Sequence, residues 1–265
     1  MVLAKIGVRV RCVAVLAALF AVATPIAHAG CRDGASQAVD ERASDLDEVE
    51  AFLAAGDRDG ASAALVAWIE PGFDARAADL DDDARLALAR RVDDLAKRLG
   101  LDAIVLEARS AIHAQLERTR PPEDDELLGA KLDLGAALFA RGEPDAAREL
   151  FERVIAVWER TKGPDASELV RVRLILGAAL CSLGDFARGA DLFEVARDTA
   201  VRTLPADHHL VLLATQNLAL VRDRLGDVPA AVELWSAIVD FRERHRADDV
   251  AALLDAKESL AMRQR

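Results

Sequence analysis

Residues 134–154, LGAALFARGEPDAARELFERV, recur twice further along the chain at a fixed spacing of 42 residues. The corresponding stretches are LGAALCSLGDFARGADLFEVA at 176–196 and LALVRDRLGDVPAAVELWSAI at 218–238. A glycine keeps the same interval in four copies, at positions 100, 142, 184 and 226. A fixed period of this length is typical of proteins built from stacked units that share one core.

Each copy has the pattern of two amphipathic helices. Leu134 and Leu138 lie four residues apart before the glycine, and Leu150, Phe151 and Val154 form an apolar face after it. The glycine is predicted to end the first helix in a left-handed conformation, and the acid that follows is predicted to cap the second helix or to favour its start. The predicted pairs are 83–99/102–118, 125–141/144–160, 166–183/186–203 and 208–225/228–245.

Small residues recur where two antiparallel helices of one copy approach each other. They occupy positions 135–137 and 177–179 on the first helices, and Ala147, Gly189 and Ala231 on the second helices. The chain contains 54 alanines, about a fifth of its 265 residues, and alanine has the highest helix propensity. We therefore expect close helix packing.

The repeats are flanked by segments of different character. A last helix over about 248–263 is predicted as the first helix of an incomplete repeat, with its polar side toward water. Upstream, 36–55 and 60–70 form a degenerate pair, and 30–38 are a loose tether. The predicted organisation is a signal peptide at 1–29, an acidic segment with the degenerate pair at 30–83, four repeats at 84–245 and a capping helix at 246–265.

The positions that recur every 42 residues resemble tetratricopeptide repeats in the form found in the kinesin light chain group. The passage that carries the resemblance runs PADHHLV at 205–211, QNLA at 216–219 and LGD at 225–227. The family pattern is Asp-His-Pro, Asn-Asn-Leu-Ala and then Gly; His209 replaces the proline and Gln216 the first asparagine. The resemblance covers residues 84–245 and implies an all-α, right-handed superhelical solenoid of antiparallel helix pairs.

In this family the first helix of each pair lines a concave groove that binds a peptide or protein segment. Asn217 resembles the family asparagine that hydrogen-bonds a bound peptide backbone, and only one repeat has it. The alternative for each groove position is a side chain that is solvated or packs on a neighbour. The groove residues implied by the resemblance are Arg90, Lys97, Arg98, Leu132, Phe139, Arg171, Leu174, Gln216, Asn217, Leu220, Asp223 and Arg224.

The charges of this predicted groove differ from those of the chain. The formal net charge is −12 and the sequence pI is near 4.9, which makes nucleic acid an improbable partner. Residues 30–83 contain 15 acids and 4 bases, against 31 and 27 in 84–265. Because the groove leans basic, we expect a peptide or chain terminus with an acidic or carboxylate feature, beside apolar anchors at Leu132, Phe139 and Leu174.

The N-terminus has the pattern of a bacterial secretory signal. Lys5, Arg9 and Arg11 precede an apolar run at 13–22, and Ala27-His28-Ala29 ends in small residues, so cleavage after Ala29 is predicted. The alternative is lipidation of Cys31, because Ala29-Gly30-Cys31 resembles the end of a bacterial lipobox, the motif that precedes a lipidated cysteine. His28 does not fit this motif, which has an apolar residue at that position. We expect an exported protein, periplasmic or extracellular, or else a membrane-anchored lipoprotein. Two cysteines in the mature chain do not form a disulfide framework.

No constellation for catalysis, cofactor or metal is found. The run at 57–60 lacks two acids of a calcium loop, the triplet at 81–83 has the pattern of a helix N-cap, and His208-His209 supplies too few ligands. The two acids predicted near the groove, Asp94 and Asp223, lie about three repeats apart, so the repeat pattern does not bring them together as a catalytic pair. The prediction is a non-catalytic interaction scaffold with a protein or peptide partner. The alternatives are a lipoprotein subunit of an envelope assembly complex, a self-assembling structural array and an enzyme built on the helical scaffold.

Overall fold

A computed structural model describes residues 46–245 and 250–264, and within these ranges it contains α-helices and no β-strand. The predicted signal segment, the tether at 30–38 and Cys31 lie outside the described residues. The helices are α1 (46–54), α2 (Arg58–Ile69), α3 (Phe73–Arg76), α4 (Asp82–Leu99), α5 (Asp102–Thr119), α6 (Asp125–Ala140), α7 (Pro144–Lys162), α8 (Glu168–Ser182), α9 (Phe186–Thr203), α10 (His209–Arg224), α11 (Val228–His245) and α12 (Val250–Arg263).

The predicted all-α fold class is confirmed. From α4 to α11 the helix bounds agree to within two residues with those predicted from the 42-residue spacing. The repeating glycines have positive φ angles, which glycine adopts without the steric cost of a side chain. These angles are 76° at Gly100, 87° at Gly142, 90° at Gly184 and 80° at Gly226.

The chain divides into two compact units, and the boundary falls at the turn between α6 and α7. In the N-terminal unit α4 packs on α5 and α5 on α6, while α2 contacts α4 and α3 contacts α5. Leu46 and Val49 of α1 are fully buried in the same apolar cluster as Leu65 and Phe73. The degenerate upstream pair thus supplies core residues, and the short helix α3 follows it.

In the C-terminal unit each helix from α7 to α12 packs on the next one in the chain. The first helices of neighbouring repeats, α8 and α10, also contact each other. Residues of α10, α11 and α12 share one apolar cluster that includes Ala219, Trp235 and Ala256. The last helix therefore packs on α11 as the first helix of a further repeat would.

Two glycines mark the close approach of α8 and α9. A Cβ atom placed on Gly177 would lie 2.6 Å from Cε1 of Phe193. A Cβ atom placed on Gly189 would lie 2.5 Å from Sγ of Cys181 and 3.1 Å from the carbonyl oxygen of Gly177. The small-residue columns therefore serve helix packing, as the sequence predicts.

Aspartates cap several helices. Asp81 accepts a hydrogen bond from the Ala84 N–H at 2.8 Å, as predicted for the acidic triplet, and Asp57 and Asp185 cap α2 and α9 in the same way. Glu143 makes no side-chain cap hydrogen bond at the start of α7, so of the two roles predicted for this acid, capping the helix or favouring its start, the first is not seen here. Aspartate is favoured over the longer glutamate at this position.

The face that α12 presents differs from the prediction. Asp255, Lys257 and Glu258 are exposed as predicted, but Leu254 and Met262 are exposed as well. Arg263, predicted to face water, instead lies 5.3 Å from the ring centroid of Trp235 and pairs with an acid of α10.

Among the described residues no helix has both the length and the apolarity that a membrane crossing requires.

Candidate functional site

The predicted groove residues lie on first helices in both units. In the N-terminal unit they belong to α4 and α6, and in the C-terminal unit to α8 and α10. The two sets belong to different compact units. We call the C-terminal set the α8/α10 surface; it comprises Arg171, Gln216, Asn217, Leu220, Asp223 and Arg224.

The bases at the end of α4 have acids one turn away. The Nζ of Lys97 lies 2.6 Å from Oδ2 of Asp93, which also pairs with Arg109 at 3.0 Å. Arg98 lies 3.6 Å from Oδ2 of Asp94. These ion pairs along and between helices reduce the positive charge that Lys97 and Arg98 offer to a ligand.

Arg90 is also in an ion-pair cluster. Its guanidinium pairs with Glu126 of α6, and Arg120 lies 3.5 Å from the other oxygen of that carboxylate. Partial burial, and then the charge of Arg120, lower the pKa of Arg90. Glu126 therefore holds two arginines together at the start of α6.

The predicted apolar anchors are not open to solvent. Leu132 and Phe139 are buried in α6, and Leu174 of α8 has no exposed surface. The side chain of Leu174 is packed in the helical core, which is the alternative given above for each groove position. Sequence periodicity identifies Leu174 as apolar but does not distinguish a core position from a groove position.

The polar side chains of α10 include groups without partners. Asn217 is 8% exposed, and its side chain makes no hydrogen bond with another described residue. Gln216, beside it, is half-buried, and Arg224 is exposed without an ion pair to any described residue. Because a side-chain amide carries donors and an acceptor, Asn217 can bind both polar groups of a peptide bond.

Asp223 is occupied by a residue that sequence reasoning missed. Arg263 of α12 donates hydrogen bonds to both of its carboxylate oxygens, at 2.9 and 2.8 Å. This bidentate pair fixes the end of α10 to α12 and neutralises an acid of the α8/α10 surface. The register of α12 places it beside α11, but nothing in the sequence assigns Arg263 a partner 40 residues away.

The other polar candidates have structural roles. His208 accepts a hydrogen bond from the Leu210 N–H through Nδ1 at 3.2 Å, and its ring stacks on that of His209. Asp94, like Asp223, is in an ion pair. In the part of the chain that the structure describes, no three His, Cys, Asp or Glu side chains come together as a metal site requires.

Comparison with known proteins shows what part of this chain is similar to. The sequence profile of the tetratricopeptide repeat matches residues 126–200, so the predicted resemblance is confirmed. The sequence matches no curated protein.

Solved structures share the architecture. A Podosopora anserina protein of nearly identical tetratricopeptide-like repeats, assigned to the kinesin light chains, is 20% identical, with a TM-score of 0.60 over 80% of this chain and 99% of its own. BtubC (BKLC) from P. vanneervenii is 16% identical, with a TM-score of 0.56 over 82% of this chain and 92% of its own. At these identities the likeness shows the fold alone.

Proposed function

We propose that this chain, whose residues 126–200 match the tetratricopeptide repeat, is an exported, non-catalytic scaffold that binds a peptide segment of a partner on its α8/α10 surface. Stacked helix pairs of this kind bind through extended surfaces rather than through enclosed pockets. The first helices α8 and α10 contact each other, so their polar residues share one unit of the fold. This proximity gives a bound segment several points of attachment.

The observation that carries the proposal is Asn217. Asn217 as a whole is 8% exposed, and its side-chain amide, which has no hydrogen-bond partner among the described residues, is not one of the fully buried unpaired groups. An accessible amide without such a partner can bind the N–H and C=O groups of an extended peptide. Gln216 provides a second amide on the same helix.

Charge supports a ligand with an acidic or carboxylate feature. Asp223 is neutralised by Arg263, whereas Arg224 makes no ion pair with a described residue. Arg171 adds a second arginine, on α8. Arginine binds carboxylates with two parallel hydrogen bonds, so an acidic side chain or chain terminus is the expected complement.

Site-specific photocrosslinking tests this proposal. A photoreactive residue at Gln216 is expected to capture a partner polypeptide in the native host, with the crosslink mapped to one short segment of that partner. The control carries the same residue at Arg202, which is exposed on the second helix α9. Equal capture at both positions, or none at Gln216, contradicts binding at the α8/α10 surface.

Export forms the second part of the proposal. The basic start, the apolar run and the small residues of 1–29 support removal of this segment during secretion, followed by residence in a bacterial periplasm or outside the cell. Lipidation of Cys31, which would attach the protein to a membrane surface, is the alternative for the same segment.

A further inference from the structure

The outward side of the last helix, α12, is largely apolar and exposed. Leu254 is 55% exposed and Met262 is 66% exposed. Ala251, Glu258 and Ala261 are exposed as well, and the three- and four-residue spacing places all five residues on one side of the helix. We call these five residues the outer face of α12. Because the end of a repeat stack normally presents a polar face to water, this composition indicates a face that binds another element.

The 42-residue repeat shows what covers the same positions on the preceding first helix. On α10 the residues that correspond to Leu254, Ala261 and Met262 are Leu212, Ala219 and Leu220. They belong to or pack against the apolar cluster that α11 supplies. The first helix α10 thus uses these positions to contact a second helix. On α12 the same positions are exposed, and no described helix covers them.

The side chains of the outer face suit a helix as the binding partner. Leu254 and Met262 lie eight residues apart, which is about 12 Å along the helix axis. An amphipathic helix with apolar residues at every third or fourth position can contact both. Ala251 and Ala261 are small, so they allow the axis of a second helix to come close.

Charge distinguishes between the helices that could bind there. Glu258 on the outer face and Asp255 beside it are exposed acids. Both bases of α12, Lys257 and Arg263, are in ion pairs with acids of α11 and α10. A second copy of this chain would bring two acidic outer faces together, which like-charge repulsion opposes. A helix with basic residues beside its apolar stripe is the complement.

We propose that the outer face of α12 binds an amphipathic, basic helix of a partner protein, in the way that α10 binds α11. The apolar stripe of this helix contacts Leu254 and Met262, and its basic residues lie near Asp255 and Glu258. The site is on a different helix from the α8/α10 surface, so the chain has a second place for a protein partner.

Fluorescence anisotropy with a synthetic helix tests the kind of partner. The probe is a labelled peptide with the sequence of α11 and the substitutions Glu233→Lys, Asp240→Lys and Glu243→Lys, all at exposed positions. A side-chain staple keeps it helical, because isolated helices are only marginally stable in water. The probe is expected to bind saturably, and at least tenfold more tightly than the stapled peptide with the native acids. Absence of binding at submillimolar concentration overturns the proposal, and equal affinity of the two peptides overturns the preference for a basic helix.

Substitutions in the full chain test the position of the site. Leu254→Gln combined with Met262→Gln is expected to weaken binding of the probe at least tenfold. The matched control, Val195→Gln with Val201→Gln, changes two exposed apolar residues of α9 and should bind within twofold of the native protein. Unchanged affinity of the Leu254/Met262 variant overturns this site. A dimer in sedimentation experiments that the same variant abolishes would identify a second copy as the occupant and overturn the partner helix.

Discussion

Gly177 shows how much one methyl group matters between packed helices. An added Cβ at this position meets the ring of Phe193, whereas a Cβ on Gly129 of α6 meets no atom within 4 Å. Alanine gains about 1 kcal/mol over glycine within a helix, and overpacking a core costs about 1–3 kcal/mol. The same substitution is therefore expected to act in opposite directions at the two positions.

We predict that Gly177→Ala lowers the free energy of unfolding by about 1 kcal/mol, while Gly129→Ala raises it by about 0.5–1 kcal/mol. Urea unfolding followed by circular dichroism measures both values. Stabilisation of the protein by Gly177→Ala would show that α8 and α9 are less tightly packed than described.

Individual residues differ in how far the sequence predicts their roles. The cap at Asp81 follows from short-range chemistry, and the structure has it. The pairing of Arg263 with Asp223 and the full burial of Leu174 depend on how distant helices pack, and local periodicity does not contain this information.

At the level of the helix, the start of α8 carries a pH-sensitive contact. The pKa of Glu168 is lowered mainly because the backbone N–H of Glu168 donates a hydrogen bond to the side-chain carboxylate of the same residue. Hydrogen bonds from Lys162 at 3.3 Å and Ser167 at 3.1 Å lower it further, against partial desolvation. Because the pKa is lower in the folded state, the ionised carboxylate contributes to stability at pH values above the unfolded pKa, which is near 4.3. This contribution is lost as the pH falls through the folded pKa.

Glu168→Gln is therefore expected to lower stability at pH 7 by a few tenths of a kcal/mol, because the exposed contact is screened by water. The difference from the native protein should vanish near pH 2, as measured by urea unfolding at each pH. The matched control is Glu149→Gln on α7, since Glu149 is exposed and has no ion pair with a described residue. A difference that persists at pH 2 would assign the effect to something other than the carboxylate charge.

The last helix covers the core of the C-terminal unit. Ala256 is buried in the cluster of Trp235, and Arg263 lies over the tryptophan ring. We predict that ending the chain after His245 lowers the free energy of unfolding by at least about 2 kcal/mol and shifts tryptophan emission to longer wavelength. Removal of only Gln264 and Arg265 is the control. Unchanged stability of the longer truncation would show that α12 does not contribute to the core.

The helices follow from the sequence where the repeat is complete. The 42-residue spacing predicts α4 to α11 to within two residues because four copies constrain one pattern. It does not predict the outer face of α12, where Leu254 and Met262 are exposed.

At the scale of the whole molecule, the fold is more predictable than the sites. Periodic apolar residues and glycines determine the helical repeats, but several charged residues implied by family resemblance are already in ion pairs.

The state of the mature N-terminus is a prediction about the whole protein. Export followed by cleavage after Ala29 should leave Gly30 as the first residue of the protein isolated from its native host. Intact-mass spectrometry measures this, and a diacylated Cys31 would identify the lipoprotein alternative. Retention of residues 1–29 in the secreted or membrane fraction would contradict both forms of processing.

The affinity of the crosslinked partner segment for charge-reversed proteins tests the central claim most directly. Arg171→Glu combined with Arg224→Glu is expected to weaken binding at least tenfold, because both substitutions oppose the acidic feature of the ligand. The matched control, Arg188→Glu with Arg202→Glu, reverses as many charges on the exposed side of α9 and should bind within twofold of the native protein. Equally tight binding by the Arg171/Arg224 variant would contradict peptide recognition at the α8/α10 surface.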